Sequence, residues 1–326
     1  MKVVDMHCDT ISRILRDHDE GGHMSLRSSD LHIDLEAMQQ GDYLLQNFAM
    51  FVFLDPERDP MEYCLRMIDT YERELAANSG LIAPVYSYGD IERNAAAGKL
   101  SALLTIEEGG VCKGSLEFLR TFYRLGVRMM TLTWNFENEI GWPNTVARLP
   151  GYDPDERYGL KERGFEFVAE MQRLGMIVDV SHLSDDGFYD VAACAKQAGI
   201  PFVASHSNAR SLCGHTRNLT DDMIRTLADC GGVTGINFCG EFLDGETGRS
   251  EAAQMVRHMR YIVSVGGLEC LGLGTDYDGI GGELELDKCS KMPLLADEMA
   301  RQGFHEREIE AVFHGNVLRV YREVLH

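Results

Sequence analysis

The chain has 326 residues, and at about 100–200 residues per domain this length allows one large domain or two ordinary ones. Hydrophobic residues make up 44% of it and charged residues 25%, which is typical of a folded protein and argues against a disordered chain. The 31 basic and 52 acidic residues give a formal net charge of −21. Because so acidic a surface repels phosphate backbones and anionic lipids, the composition argues against nucleic-acid and membrane partners.

The N-terminal residues contain no apolar signal-peptide segment, and the apolar run at 44–54 is too short to span roughly 30 Å of hydrocarbon. The nine cysteines are odd in number, irregularly spaced and never in a C-x-x-C pair. This pattern favours reduced thiols over a disulfide framework or a zinc finger. The sequence therefore predicts a soluble, cytoplasmic protein.

Short apolar segments alternate with amphipathic ones along the whole chain. The predicted strands are residues 2–9, 46–53, 100–107, 128–134, 176–182, 201–207, 232–238 and 268–277. The predicted helices are residues 60–78, 115–125, 161–174, 185–197, 221–230, 251–265 and 291–302. Glycine follows several of these helices, at Gly126, Gly175 and Gly303, as a stop signal.

Eight strands alternating with amphipathic helices predict a (β/α)₈ barrel that occupies residues 1–326 as a single catalytic domain. A doubly wound sheet is the alternative, but no Gly-x-Gly-x-x-Gly follows the first strand, so a dinucleotide site has no support. The charged stretch at 17–34 and the proline-containing stretch at 135–160 are predicted to be loop insertions.

Histidines and carboxylates fall at the C-terminal ends of the predicted strands, which form the active-site face of such a barrel. His7 and Asp9 end the first strand two residues apart, so both are expected to face the same interior. Glu107 and Glu108 end the third strand, and only one of the two can point inward. Taken singly, each of these residues is also compatible with ordinary hydrogen bonding.

His182 and His206 end the fifth and sixth predicted strands at equivalent positions, in line with the histidine of the first strand. Asp276 and Asp278 end the eighth strand, where Asp278-Gly279 has the pattern of a turn and Asp276 is left without a structural explanation. Three histidines, an aspartate and a glutamate are enough ligands for two metal ions that share a carboxylate. With Asp276 as a proton carrier, this set predicts metal-assisted hydrolysis of an amide.

Several segments together resemble the membrane (renal) dipeptidase family, the zinc dipeptidases of the amidohydrolase superfamily, and the chain is similar to its bacterial members. The matching stretches, in family order, are residues 5–10, 106–110, 126–133, 179–182, 205–209, 217–222 and 272–279. The resemblance implies a (β/α)₈ metallo-dipeptidase with two zinc ions per chain, a hydroxide between them as the nucleophile, tolerance of a D-residue at the second position, and pairing as a homodimer.

The resemblance also assigns roles to residues of this chain. It implies that His7 and Asp9 hold the first metal, that His182 and His206 hold the second, and that the glutamate after the third strand bridges them. The spacing to Ser115-Leu116 favours Glu107 as the bridge, whereas the Glu-Gly-Gly match favours Glu108. The resemblance further implies that Asp276 is the catalytic acid and that Arg217 binds the substrate carboxylate.

One position departs from the family pattern. After Thr-Leu-Thr, renal-type members carry a histidine that helps to hold the substrate, and this chain has Trp134 instead. We interpret Trp134 as a substrate-binding residue that shapes the pocket. Two other functions stay open from the sequence: another amidohydrolase activity on a small amide or lactone, and a barrel that binds a metal or small molecule without catalysis. The His-x-Asp of the first strand argues against the first, because such relatives usually carry His-x-His.

Overall fold

The computed structural model describes residues 1–326, whose strands form one parallel sheet closed into a barrel. Its strands are β1 (Val3–Asp5), β2 (Tyr43–Phe51), β3 (Ile82–Pro84), β4 (Leu100–Glu107), β5 (Met129–Thr131), β6 (Ile177–Asp179), β7 (Val203–Ala204), β8 (Val233–Ile236) and β9 (Leu271–Leu273). The order is β2-β1-β9-β8-β7-β6-β5-β4, and β2 pairs with β4 to close the ring, with β3 beside the start of β4. The predicted (β/α)₈ barrel is confirmed.

The helices lie between these strands and cover the barrel. They are α1 (Thr10–Asp19), α2 (Leu35–Gln40), α3 (Pro60–Ala77), α4 (Tyr88–Ala96), α5 (Leu116–Arg124), α6 (Glu162–Leu174), α7 (Asp185–Ala198), α8 (Asp221–Asp229), α9 (Gly240–Leu243), α10 (Ala252–Gly266), α11 (Met292–Arg301), α12 (Glu306–Glu310) and α13 (Asn316–Val324). None of them combines the length and the apolar character that crossing a lipid bilayer requires.

Two hydrophobic clusters hold the barrel together. A cluster of 72 buried residues fills the layer between the sheet and the helices. A second cluster of 15 buried residues contains alternate residues of the strands, such as Leu45 and Leu103, together with Val320 and Tyr321 of α13. Tyr321 also accepts a hydrogen bond of 2.6 Å from Asn47 Nδ2 on β2 through its hydroxyl. The C-terminal helix therefore packs against the residues inside the barrel and leaves the other end for the site.

The structure contains elements that the sequence did not predict, several of them too short to show a helical or strand period. These are β3, α1, α2, α4, α9, α12 and α13. In α4 only Ile91 is buried, and β3 has three residues and ends at Pro84. The helix α1 extends to Asp19 and so occupies the start of the stretch at 17–34 that was predicted to be a loop, which was wrong for residues 17–19. Residues 135–160 contain the 3-10 turn Val146–Arg148 and otherwise no helix or strand.

Candidate active site

The C-terminal ends of the strands bring the predicted site residues together at one end of the barrel. Glu107 is the last residue of β4, and the others lie two to four residues beyond the ends of their strands. All of these side chains are buried: His7, Asp9, Glu107, His182, His206 and Asp276. Residues separated by up to 269 positions in the chain thus surround one point, because parallel strands present their ends at the same edge.

The Glu107 carboxylate lies at the centre of this group, with one oxygen toward each side. Its Oε2 lies 3.5 Å from His7 Nε2. Its Oε1 lies 3.2 Å from His182 Nε2 and 3.4 Å from His206 Nε2, and these two nitrogens are 3.1 Å apart. On the other side, His7 Nε2 lies 3.5 Å from Asp9 Oδ2. A carboxylate with one oxygen toward each of two ligand groups has the geometry of a bridging ligand.

Hydrogen bonds from the Nδ1 atoms of His182 and His206 fix which ring nitrogen carries the proton. Thr131 Oγ1 and Ser205 Oγ both donate to Asp179 Oδ2, each at 2.6 Å. Because the Ser205 hydroxyl proton is directed to Asp179, its oxygen accepts from His206 Nδ1, 2.7 Å away. The Nδ1 of His182 likewise donates to Asn135 Oδ1 at 3.0 Å. In both rings the Nε2 lone pair therefore points into the site.

This arrangement places three acceptor atoms against one another without a hydrogen between them. They are His182 Nε2, His206 Nε2 and Glu107 Oε1, at 3.1–3.4 Å. Lone pairs at such distances repel in a buried site unless a cation lies among them. His7 Nδ1 and Nε2 and Asp9 Oδ1 are also buried without a hydrogen-bond partner. The donor set fits zinc, which prefers imidazole nitrogens and carboxylate oxygens.

The pKa shifts of His182 and Glu107 favour the protonation states that bind a metal ion. Burial, with help from Arg217, lowers the pKa of His182 to about 3. Burial also opposes ionisation of Glu107, but the surrounding imidazoles, His7 first, hold its pKa well below the ordinary value. For His7, burial favours the neutral ring, yet Glu107 and Asp9 raise its pKa well above the ordinary value. Neutral imidazoles and ionised carboxylates are the metal-binding forms, and metal binding would displace the proton from His7.

Asp276 lies beside this group and has a separate environment. Its Oδ1 is 3.9 Å from His7 Nε2, and its Oδ2 accepts a hydrogen bond of 2.8 Å from Asn237 Nδ2. Burial raises the pKa of Asp276 to about 7, with the carboxylates of Asp9 and Glu107 acting in the same direction. A carboxyl group of this kind can both accept and release a proton near neutral pH. Asp276 thus has the properties of a general acid and base.

Four site residues have backbone conformations in the left-handed region, where non-glycine residues are uncommon. Their φ angles are 68° at His182, 62° at Asp276, 67° at Asp278 and 106° at Glu108. Such conformations follow the strand ends and break the simple alternation of side chains. Asp278, which alternation would place beside Asp276, instead accepts hydrogen bonds from Thr10 Oγ1 at 2.6 Å and from the backbone nitrogen of His32 at 2.7 Å.

The candidate metal-ligand group opens into a cavity of about 720 Å³. Arg217 lines this cavity and is buried, with Nη1 donating to Ser207 Oγ at 3.2 Å and Nη2 to the His206 carbonyl at 3.0 Å. Its Nε has no partner, and no carboxylate of the protein pairs with the guanidinium. A buried, unpaired guanidinium on a cavity wall is suited to bind a carboxylate from a ligand.

Trp134 lies in an aromatic wall of the same cavity. Its ring is 5.0 Å from that of Phe51, 5.5 Å from that of Phe136 and 5.8 Å from that of His182, between ring centres. The backbone nitrogen of Trp134 donates to Glu108 Oε2 at 2.8 Å. The Trp134 side chain therefore shapes the cavity, and Glu108 supports the segment that carries it instead of contacting the histidines.

The structure brings together all of the residues that the sequence singled out as metal ligands, and it places Asp276, Arg217 and Trp134 on the same cavity. Sequence reasoning missed Asn135, Asn237 and His215. Asn135 and Asn237 hold His182 and Asp276, and His215 lines the cavity. The first two follow the ends of β5 and β8, so the positional rule that identified the other ligands could also have identified them.

A barrel with this set of residues defines a metal-dependent hydrolase, and comparison with known proteins narrows the class. Residues 1–326 match the family model for membrane dipeptidase, peptidase family M19. The chain belongs to this family of hydrolytic enzymes, whose members are metallo-dipeptidases. The family resemblance inferred from the sequence is confirmed.

Individual relatives and solved structures are similar to most of the chain. An uncharacterized protein of Klebsiella pneumoniae is 32% identical over 269 residues, which cover 82% of this chain and 97% of that protein. Dipeptidase 3 of Mus musculus is 34% identical over 82% of this chain but only 52% of its own length. Among solved structures, a metallopeptidase of Rhodobacter sphaeroides with a phosphinate mimic of L-Ala-D-Ala has a TM-score of 0.88, at 26% identity and 99% coverage of both chains.

Proposed function

We propose that this protein is a dipeptidase that hydrolyses the peptide bond of free dipeptides with two zinc ions bound per chain. The observation that carries the proposal is the meeting of His182 Nε2, His206 Nε2 and Glu107 Oε1, three acceptors within 3.4 Å of one another. His7 and Asp9 would hold one ion, His182 and His206 the other, and Glu107 would bridge them. When bound, the two ions supply a hydroxide nucleophile at neutral pH and polarise the scissile carbonyl.

The cavity residues supply binding and proton transfer. Arg217 binds the C-terminal carboxylate of the dipeptide, because it is the buried cation of the cavity and has no carboxylate partner. Asp276 accepts the proton of the attacking nucleophile and passes it to the nitrogen of the leaving amine. Asn237 holds the second oxygen of Asp276, so the free oxygen faces the site. Asp276→Asn is expected to retain the metals and to lower kcat by about 10²–10⁴-fold.

Acceptance of a D-residue at the C-terminal position is part of the proposal. Its support is the likeness of the whole chain to the Rhodobacter sphaeroides metallopeptidase, which was solved with a mimic of L-Ala-D-Ala. The side chain of the second residue would enter a cavity of about 720 Å³, which leaves room for either configuration. The wall next to Trp134 would contact the apolar part of the substrate.

The test is turnover of a dipeptide panel by the zinc-loaded protein. The panel contains L-Ala-L-Ala, L-Ala-D-Ala, D-Ala-L-Ala and L-Ala-L-Ala amide, with free amino acids measured as products. We expect cleavage of the first two and no cleavage of the amide, because Arg217 then has no carboxylate to bind. Absence of turnover of every dipeptide by protein that holds its metal would contradict the proposal.

A further inference from the structure

Three exposed arginines line the mouth of the cavity and have no carboxylate partner within the protein. Arg13 and Arg16 lie on one face of α1, and Arg148 ends the turn Val146–Arg148. We name these three residues the rim arginines. Some other exposed arginines pair with carboxylates, as Arg66 does with Asp19, whereas Arg225 on α8 is unpaired but lies outside the cavity. The rim arginines are therefore distinguished by their position at the cavity mouth. The rim arginines are thus free to act on a ligand.

Their charge opposes that of the rest of the chain. The net charge of −21 repels anionic substrates, whereas the cavity mouth presents three positive groups. The exposed carboxylate that lines the same cavity is Glu241, which offsets one of these charges. A local excess of positive charge at the mouth attracts anionic ligands into a molecule that otherwise repels them.

Arg148 lies on the same wall of the cavity as Arg217. Thr216 Oγ1 donates to Asn144 Oδ1 at 3.0 Å, so the segment before Arg217 is joined to the segment before Arg148. Both arginines also act on His215, whose pKa is lowered by burial first and then by Arg217 and Arg148. The other two rim arginines lie in α1, which begins directly after the candidate metal ligand Asp9.

We infer that the rim arginines select dipeptides with an anionic side chain on the C-terminal residue, and that Arg148 is the cation which this side chain meets. The inference rests on the proposed dipeptidase function. In a dipeptide the side chain and the carboxylate of the second residue branch from the same carbon atom. With the carboxylate on Arg217, the side chain therefore begins on the wall that carries Arg148. An aspartate or glutamate side chain reaches a guanidinium that no protein carboxylate occupies.

The experiment compares kcat/KM for Ala-Asp with that for Ala-Asn, a neutral peptide of nearly the same shape, with both configurations of the second residue. For the wild type we expect a ratio of roughly three to ten, since exposed charge pairs are individually weak, and a smaller ratio at high salt. Arg148→Gln should bring the ratio close to one, and the double variant Arg13→Gln/Arg16→Gln should lower it. The control is Arg225→Gln, an exposed arginine of α8 outside the cavity, which changes the net charge equally and should leave the ratio unchanged.

A ratio at or below one in the wild type, or a ratio that Arg148→Gln leaves unchanged, overturns the inference. Failure to cleave any dipeptide contradicts the proposed function instead. In that case the role of the rim arginines is tested by measuring the binding of Ala-Asp and Ala-Asn by calorimetry. Tighter binding of Ala-Asp that is lost in Arg148→Gln supports their role. Equal binding of Ala-Asp and Ala-Asn to the wild type overturns it.

Discussion

Glu107 and Glu108 are adjacent in the chain, yet their carboxylates have entirely different partners. Glu107 faces the imidazoles of three histidines. Glu108 accepts hydrogen bonds from Trp134 N at 2.8 Å, Gly110 N at 2.7 Å and Asn138 Nδ2 at 2.6 Å. One glutamate therefore lies in the candidate metal centre, and the other holds the segment that follows β5.

This difference predicts opposite phenotypes for two isosteric variants. Glu107→Gln should abolish binding of the metal pair and turnover, because an amide cannot bridge two cations as a carboxylate does. Glu108→Gln should retain both metals but lose about 1–3 kcal/mol of stability, because its amide nitrogen faces hydrogen-bond donors. Metal content and urea unfolding of both variants test this. Loss of metal in Glu108→Gln with retention in Glu107→Gln would reverse the assignment.

Gly279 is a position where a methyl group should disturb the site more than the fold. A Cβ added there would lie 2.1 Å from Asp9 Oδ2 and 2.6 Å from Asp276 Oδ1. Gly279→Ala should therefore displace both carboxylates, weaken zinc binding and lower kcat. Gly281→Ala is the matched control, since a Cβ at Gly281 meets no atom within 4 Å. Equal zinc affinities in the two variants, from competition with a chelator, would show that Asp9 does not hold metal.

Trp134 occupies the place where renal-type relatives carry a histidine, and its packing predicts that the substitution Trp134→His lowers activity. An aromatic pair contributes about 0.5–1.5 kcal/mol beyond its burial, and the Trp134 ring contacts Phe51 and Phe136. Trp134→His should lower kcat/KM for L-Ala-D-Ala by roughly tenfold, because it removes apolar surface on which the substrate packs, equivalent to about two CH₂ groups at about 0.8 kcal/mol each. Trp142→His, the variant of the other tryptophan, lies outside the cavity and serves as the control. A large gain in Trp134→His would show instead that the natural site lacks a group it needs.

Glu170 on α6 predicts a pH-dependent contribution to stability away from the site. It accepts hydrogen bonds from Arg173 and Arg120, which lower its pKa from 4.5 to about 2, with Arg173 as the larger cause. Because the folded-state pKa is depressed, the stabilisation is fully present above pH 4.5 and is lost as the pH falls toward about 2. The destabilisation caused by Glu170→Gln should thus be largest at neutral pH and shrink below pH 4.5.

The control for this prediction lies on the same helix. Glu166 pairs with Arg163 at the surface, and both side chains are about half exposed, so Glu166→Gln should have little effect at any pH. Urea unfolding of the wild type and both variants between pH 7 and pH 3.5 gives the comparison. A destabilisation by Glu170→Gln that stays constant over this range would contradict the role of the ionised carboxylate.

Most of the barrel could be predicted because its strands and long helices carry strong local patterns. Strand β4, for example, is buried at every position from Leu100 to Glu107 and reads as one apolar segment. The missed helices α2, α9 and α12 have four to six residues each, too few to show a helical period. The apolar positions of α1 and α13 do recur at helical spacing, so the sequence could have predicted these two helices, although not where they pack. The helix α13 is stabilised by packing inside the barrel, where Tyr321 meets Asn47, and that partner lies more than 270 residues away in the chain.

The grouping of the candidate metal-ligand residues could be predicted because position at a strand end is visible in the sequence. Their support could not be predicted, since it depends on left-handed backbone at His182 and Asp276 and on hydrogen bonds across strands. Side-chain alternation fails at such residues, so the different roles of Asp276 and Asp278 emerge only in three dimensions.

Metal content measured together with dipeptide turnover, in the wild type and in His182→Ala, tests the central claim most directly. After loading with zinc and removal of free metal, the wild type should hold two ions per chain and cleave L-Ala-D-Ala. His182→Ala should hold at most one ion and lose turnover, while His23→Ala, at an exposed histidine outside the cavity, should match the wild type. A His182→Ala protein that keeps two ions, or a wild type that cleaves dipeptides without metal, would contradict the account.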